Sequence, residues 1–156
     1  MSADGATGKL LLCDAAQVQG GKLFILGGGW SRVIAIGPLT MALAIYLRIP
    51  WHAANQPKRL SVDLVDADGH PIPDPDGQPI RTEGGIEVGR PPGLRAGTSL
   101  DSCIAITINQ LALGVGVYRW ELHLDEELLD DAVFEVLAPP PGLLIPGGMI
   151  PAQPPG

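Results

Sequence analysis

Residues Leu39–Ile49 limit the possible folds of this chain more than any other stretch. Leu39, Met41, Leu43, Ile45, Leu47 and Ile49 alternate with Thr40, Ala42, Ala44, Tyr46 and Arg48. A period of two puts the large apolar side chains on one face of a strand and the smaller or amphipathic ones on the other. The same period returns at Lys58–Asp66, with Leu60, Val62 and Leu64 inward, and at Ser102–Asn109, with Ile104, Ile106 and Ile108 on one face. It returns again at Tyr118–Leu124, where Tyr118, Trp120, Leu122 and Leu124 alternate with Arg119, Glu121 and His123.

Weaker segments complete the pattern. Lys9–Cys13 reads as a short strand, Asp14–Gly21 as a turn, Trp30–Ile36 as a strand closed by Gly37-Pro38, and Ile80–Val88 as a strand interrupted by Gly84-Gly85. Leu128–Leu137 reads as one or two closing strands, although Glu126–Glu135 also fits a single helical patch. No segment carries a sustained helical stripe with an N-cap and a C-cap. The 21 glycines and 16 prolines punctuate these runs, so they mark turns between strands. Short strands between Gly/Pro turns predict an all-β fold, a single immunoglobulin-like sandwich of about seven to nine strands. The expected organisation is a loose arm over residues 1–8, the sandwich over 9–138 and a Pro/Gly-rich apolar tail over 139–156.

Gly21–Trp30 (GKLFILGGGW) is the stretch around which the strands are expected to be arranged. Leu23–Leu26 reads as a strand near the core, and Gly27, Gly28 and Gly29 let the backbone bulge or bend sharply. Trp30 then supplies a large group to bury. Gly27, Gly28, Gly29 and Trp30 are therefore expected to form a structural corner together with Tyr118 and Trp120. Gly116-Val117-Tyr118-Arg119-Trp120 resembles the tyrosine corner of immunoglobulin-like domains, in which a hydroxyl bonds back to an earlier backbone group. Trp120 stands where antibody-type domains carry their second cysteine, which implies an aromatic pin in place of a disulfide.

The segments LLCDAAQVQGGKLFILGGGW, IPWHAANQ, LVDADG, EVGRPP and YRWELHLD together resemble a family of short bacterial and phage proteins known only as a domain of unknown function. The resemblance covers residues 9–137 and implies a compact β-sandwich. It carries no catalytic residues to transfer.

The charge balance and the scattered polar residues narrow the chemistry. Ten Lys and Arg against 17 Asp and Glu give a formal charge of −7, which repels phosphate backbones and anionic lipid, so nucleic acid is not an expected partner. The longest apolar run ends at Arg48 and is too short to span a bilayer, and no signal-peptide core opens the chain; the expectation is a cytoplasmic protein without membrane insertion. Cys13 and Cys103 read either as a sandwich-spanning disulfide or as two buried thiols, and a reducing compartment favours the thiols. His52, His70 and His123 fall in a loop, a turn and an outward strand position, with no second ligand at metal-binding spacing. Asp66-Ala67-Asp68-Gly69 and Asp74-Pro75-Asp76-Gly77 look like fragments of a calcium loop but lack its later Glu, so tight turns are expected. No metal, cofactor or catalytic residue is expected. The expected function is a non-enzymatic structural or interaction protein that self-associates, as a homo-oligomer, or docks on a larger protein assembly. Its expected contacts are Trp51 and His52 in the Pro50–Pro57 loop and the apolar tail residues Leu143, Leu144, Ile145, Met149 and Ile150. The alternative is a ligand-binding sandwich that holds a carbohydrate or small apolar molecule through Trp51.

Overall fold

The alternation at Leu39–Ile49 becomes the central strand of a three-stranded sheet. The computed structural model describes residue 2 and residues 4–142. Its strands are β1 (Thr7–Cys13), β2 (Ala15–Gln19), β3 (Lys22–Leu26), β4 (Arg32–Ile34), β5 (Leu39–Ile49), β6 (Lys58–Asp66), β7 (Arg81–Ile86), β8 (Leu100–Leu111), β9 (Gly116–Leu124) and β10 (Glu127–Leu137). One sheet runs β1-β5-β8, the second β4-β10-β9-β6-β7, and β2-β3 is a separate hairpin. Every pairing is antiparallel except that of β4 with β10. Among the described residues, Trp51–Ala53 forms a single 3-10 turn, and no helix is long and apolar enough to cross a membrane.

The two larger sheets face each other across one apolar interior. Met41, Leu43, Ile45, Leu47 and Ile49 of β5 and Trp120, Leu122 and Leu124 of β9 are all fully buried there. Trp120 spans the gap between the sheets, its Nε1–H donating to Met41 Sδ at 3.4 Å. Truncating a side chain of this size in a packed interior costs about 3–5 kcal/mol.

The middle of β5 is buried on its second face as well. Ala42 and Ala44, with Cys13, pack under Ala16, Leu23 and Ile25 of the β2–β3 hairpin. Small side chains on that face allow the hairpin to approach closely. This corrects the expected role of Leu23–Leu26: β3 is an outer covering strand, and its Phe24 and Leu26 remain exposed. The turn expected over Asp14–Gly21 contains strand β2 and closes at Gly20-Gly21, whose φ values of +58° and +73° suit a two-residue hairpin turn. The strand expected from Trp30 to Ile36 shortens to Arg32–Ile34, because it can pair only with the last three residues of β10. The closing segment is one strand, not a helix or a strand pair.

The glycine run carries the chain from the hairpin to the five-stranded sheet. Gly27 and Gly29 take φ of +60° and +87°, and a side chain at Gly27 would collide with the Asp14 carboxylate. Gly29 N–H donates to Leu12 O of β1 at 2.9 Å on the way past. Trp30 then lands edge-on against Phe134, ring centroids 6.3 Å apart. The register of β10 against β9 shifts between Leu128 and Asp130, leaving Leu129 without a partner, and the Asp130 Oδ2 just beyond it accepts from Leu10 N–H at 2.8 Å.

The two Asp-x-Asp-Gly segments fold alike. Asp66 Oδ1 accepts from the N–H groups of Asp68 and His70, and Asp74 Oδ1 accepts from those of Asp76 and Gln78. Gly69 and Gly77 both take φ above +80°. The carboxylates therefore organise the turns they begin. The N-terminal segment expected as a loose arm enters the interior: Ala6 is fully buried and β1 begins at Thr7.

The Tyr118 hydroxyl donates to Gly114 O at 2.9 Å, and its ring stacks on Phe134 at 5.7 Å. Tyr118→Phe removes the bond and keeps the stack. The expected loss is about 1 kcal/mol, read as a lower midpoint in urea unfolding at unchanged slope; an unchanged midpoint would deny the corner a stabilising role.

Candidate functional site

The two facing sheets are closed along one side and open along the other. On the closed side, β1 is sealed by Asp130 at Leu10 N–H and by Gly29 at Leu12 O. On the open side, β8 ends one sheet and β7 ends the other, and among the described residues no backbone hydrogen bond joins them. Their edges leave a seam between the layers.

Register explains why the seam is apolar and why it is not filled. Ile104, Ile106 and Ile108 lie opposite Ile45, Leu43 and Met41 of β5 and so share their inward face. The β5 residues are fully buried, but the three isoleucines are only half-buried. Across from them, Gly84 lies opposite Leu60 and also faces inward. A Cβ added at Gly84 would meet no atom within 4 Å. The missing side chain leaves a cavity of about 250 Å³ lined by Leu60, Gly84, Ile86, Ile104 and Ile106. The seam continues into a cavity of about 450 Å³ beside Ile80, Arg81 and Ile108 and one of about 650 Å³ beside Arg90, Thr98 and Asp101. The sequence showed Gly84-Gly85 as a weak point in a strand. That Gly84 faces the interior depends on its pairing with Leu60.

Trp51 does not line the seam. It opens the 3-10 turn with its ring half-buried against the interior, and the Arg90 guanidinium lies 4.5 Å from the ring centroid. Arg90 Nη2 also donates to Trp51 O at 2.7 Å, so one arginine holds both the ring and the backbone of the loop. Arg90 lines the largest of the three cavities and connects the Trp51 loop to the seam. His52 Nε2 lies 2.9 Å from Asp4 O and is exposed. Leu143, Leu144, Ile145, Met149 and Ile150 lie outside the described residues.

Several other ionisable groups hold the fold. Lys58 is buried at the start of β6, where its Nζ pairs with the Asp4 carboxylate and lies 3.6 Å from Asp125 Oδ2. Lys58, then Ser2, lowers the Asp4 pKa from 3.8 to about 2, and Asp4 in turn raises that of Lys58. His123 Nδ1 stands 3.2 Å from Asp63 Oδ2 without a hydrogen bond, and Arg81 Nε lies 3.1 Å from Oδ1 of the same carboxylate. Both cysteines are free; Cys13 is buried, and desolvation raises its pKa. Asp66, Asp68 and His70 bring their ligand-type atoms within 4.8 Å of one another, a proximity that the turn creates and spacing alone did not reveal. Asp66 already accepts two backbone N–H groups, which lower its pKa.

With the fold and seam in place, residues 9–137 match the model of a family of unknown function, DUF6941. The chain belongs to that family. The DUF6941 match runs from within β1 to the last residue of β10, which is the span expected from the resemblance and takes in both sides of the seam. No curated protein matches the chain.

The Asp4–Lys58 pair yields a pH prediction. A carboxylate whose folded pKa lies below its unfolded value contributes stability in full above the unfolded value and loses it as pH falls through the folded one. Asp4 should therefore contribute fully above about pH 4 and lose its contribution toward pH 2. Asp4→Asn is expected to cost about 1–3 kcal/mol at pH 6, since it leaves a buried ammonium short of its nearest partner. The gap from wild type should narrow steeply between about pH 4 and pH 2 in paired thermal melts; a gap constant from pH 6 to 2 would show that the charge pair is not its origin.

Proposed function

We propose that this chain is a non-enzymatic structural or interaction protein, an immunoglobulin-like β-sandwich that self-associates or docks on a larger assembly in the cytoplasm. The seam carries this reading. Two unpaired edge strands flank an apolar slot, the arrangement in which an extended segment adds backbone hydrogen bonds and inserts alternate side chains. The Tyr118–Gly114 bond and the Trp120 pin between sheets support the immunoglobulin-like assignment. The non-enzymatic reading is supported by Lys58, Asp4 and Asp66, which are occupied in an ion pair and a turn.

The test is the native mass by light scattering, for the full chain and for a chain ending at Ala138. A defined oligomer that falls to monomer on truncation is the expected outcome. Monomers in both cases would remove self-association through the tail.

A second reading has its own observation. The cavity of about 650 Å³ lined by Glu87, Arg90, Thr98 and Asp101 has the size and polar groups of a small-molecule site. In this reading Arg90 contacts the ligand, and Trp51 acts by holding Arg90. A thermal-shift screen against sugars should then give a hit that Arg90→Ala abolishes; a hit of unchanged size in Arg90→Ala would place the ligand elsewhere.

A further inference from the structure

We propose that the seam between β7 and β8 is the receptor for residues 143–150 of a second copy of this chain, which add as a strand along the β8 edge. The inference rests on the proposed interaction role and names both the site and the occupant.

Four observations lead to it. First, the seam is built to receive an apolar segment: Ile104, Ile106 and Ile108 face inward yet stay half-buried, opposite a glycine with open space above it. Their neighbours on β5 show what full burial on that face looks like, so the seam is short of apolar side chains to cover it. Second, the chain carries a segment of matching character, Leu143-Leu144-Ile145 and Met149-Ile150, with Pro146 and Pro151 barring a helix. Third, the lengths agree. β8 from Leu100 to Ile108 spans about 26 Å, and residues 143–150 extended span about 23 Å.

The fourth observation chooses a second copy over the same one. Residues 138–142 are all exposed, and a Cβ at Gly142 would touch nothing within 4 Å. The segment includes Pro139-Pro140-Pro141, a stiff extended spacer of about 3 Å per residue. It leaves from the end of β10, which is separated from β7 by β9 and β6. A stiff spacer that leaves the surface on that side of the sheet delivers residues 143–150 to a neighbour more readily than it doubles back across its own sheet. Each copy would then offer a tail and a seam at different places, a head-to-tail contact that closes as a ring or continues as a chain.

Gly84→Leu tests this directly, because Gly84 faces the cavity and a Cβ there meets no atom within 4 Å, so the longer side chain is placed to occupy the space the tail would fill. The fold is expected to survive, with a melting temperature no lower than wild type. Two readouts are taken. A fluorescent peptide of residues 141–151 is titrated into the chain ending at Ala138, with and without Gly84→Leu. Native mass is measured for the full chain with and without the same substitution. The expected result is saturable peptide binding weakened at least tenfold by Gly84→Leu, and a full-length oligomer that the substitution converts to monomer. Should Gly84→Leu fail to fold, amide exchange on unaltered protein takes its place: β8 amides should exchange at least tenfold more slowly in the full chain than in the chain ending at Ala138. An oligomer that truncation dissolves but Gly84→Leu leaves intact overturns the seam as receptor while the self-association reading stands. A monomeric full chain whose truncated form binds the peptide overturns the second copy as occupant. A monomeric full chain whose truncated form binds no peptide overturns both readings.

Discussion

The structure depends on Trp120 lying between the two larger sheets. Its indole is fully buried, its N–H reaches Met41 Sδ on β5, and its flanking inward residues Leu122 and Leu124 are likewise sealed from solvent. A disulfide in that place would tie the sheets covalently and limit the unfolded chain. A tryptophan ties them by buried area and one weak hydrogen bond, so spacing and alignment rest on packing. β5 must therefore stay in register with both neighbours, and its own pattern permits this: large residues toward Trp120, alanines toward the hairpin. The β2–β3 hairpin is a consequence of that second face. Without it, Ala42, Ala44 and Cys13 would form an exposed apolar strip.

The ends of the sheets are treated unequally. β1 is closed by a carboxylate beside the register shift in β10 and by a glycine N–H in the left-handed connection between β3 and β4. Among the described residues, β7 and β8 have no such closure. An open edge beside an apolar cleft is a template for pairing with another chain, and the half-buried isoleucines give this one an apolar lining. The pole carrying Trp51 is held differently, by Arg90 across the ring and by Asp4 on Lys58.

Much of the strand content was legible because alternation survives without its partners. Leu39–Ile49, Lys58–Asp66 and Tyr118–Leu124 each declare a strand and an inward face by their own side chains, and the observed strands agree. The Tyr118 hydroxyl was legible for a similar reason: its acceptor is Gly114, four residues away. Leu23–Leu26 misled because four apolar residues in a row fit a core strand and an outer covering strand equally well, and their exposure depends on which layer lies above. Ala15–Gln19 was missed because small and amide side chains carry no period, and β3 alone makes that segment a strand. The seam was the least legible feature. Gly84 is ordinary until its pairing with Leu60 turns it inward, and the edges of β7 and β8 are unpaired only with respect to a complete sheet order.

The sequence by itself determined the class of structure and its surface character: an all-β chain with acidic excess and turns set by Asp-x-Asp-Gly and Gly-Gly. These come from local chemistry, the period of side chains along a strand and the backbone angles that particular residues tolerate. Tertiary structure decided which strands became edges, which apolar run became a cover, and where a side chain was missing from the interior. Those properties belong to pairs and layers. A residue's burial there is set by partners tens of positions away, so no window of the sequence contains it.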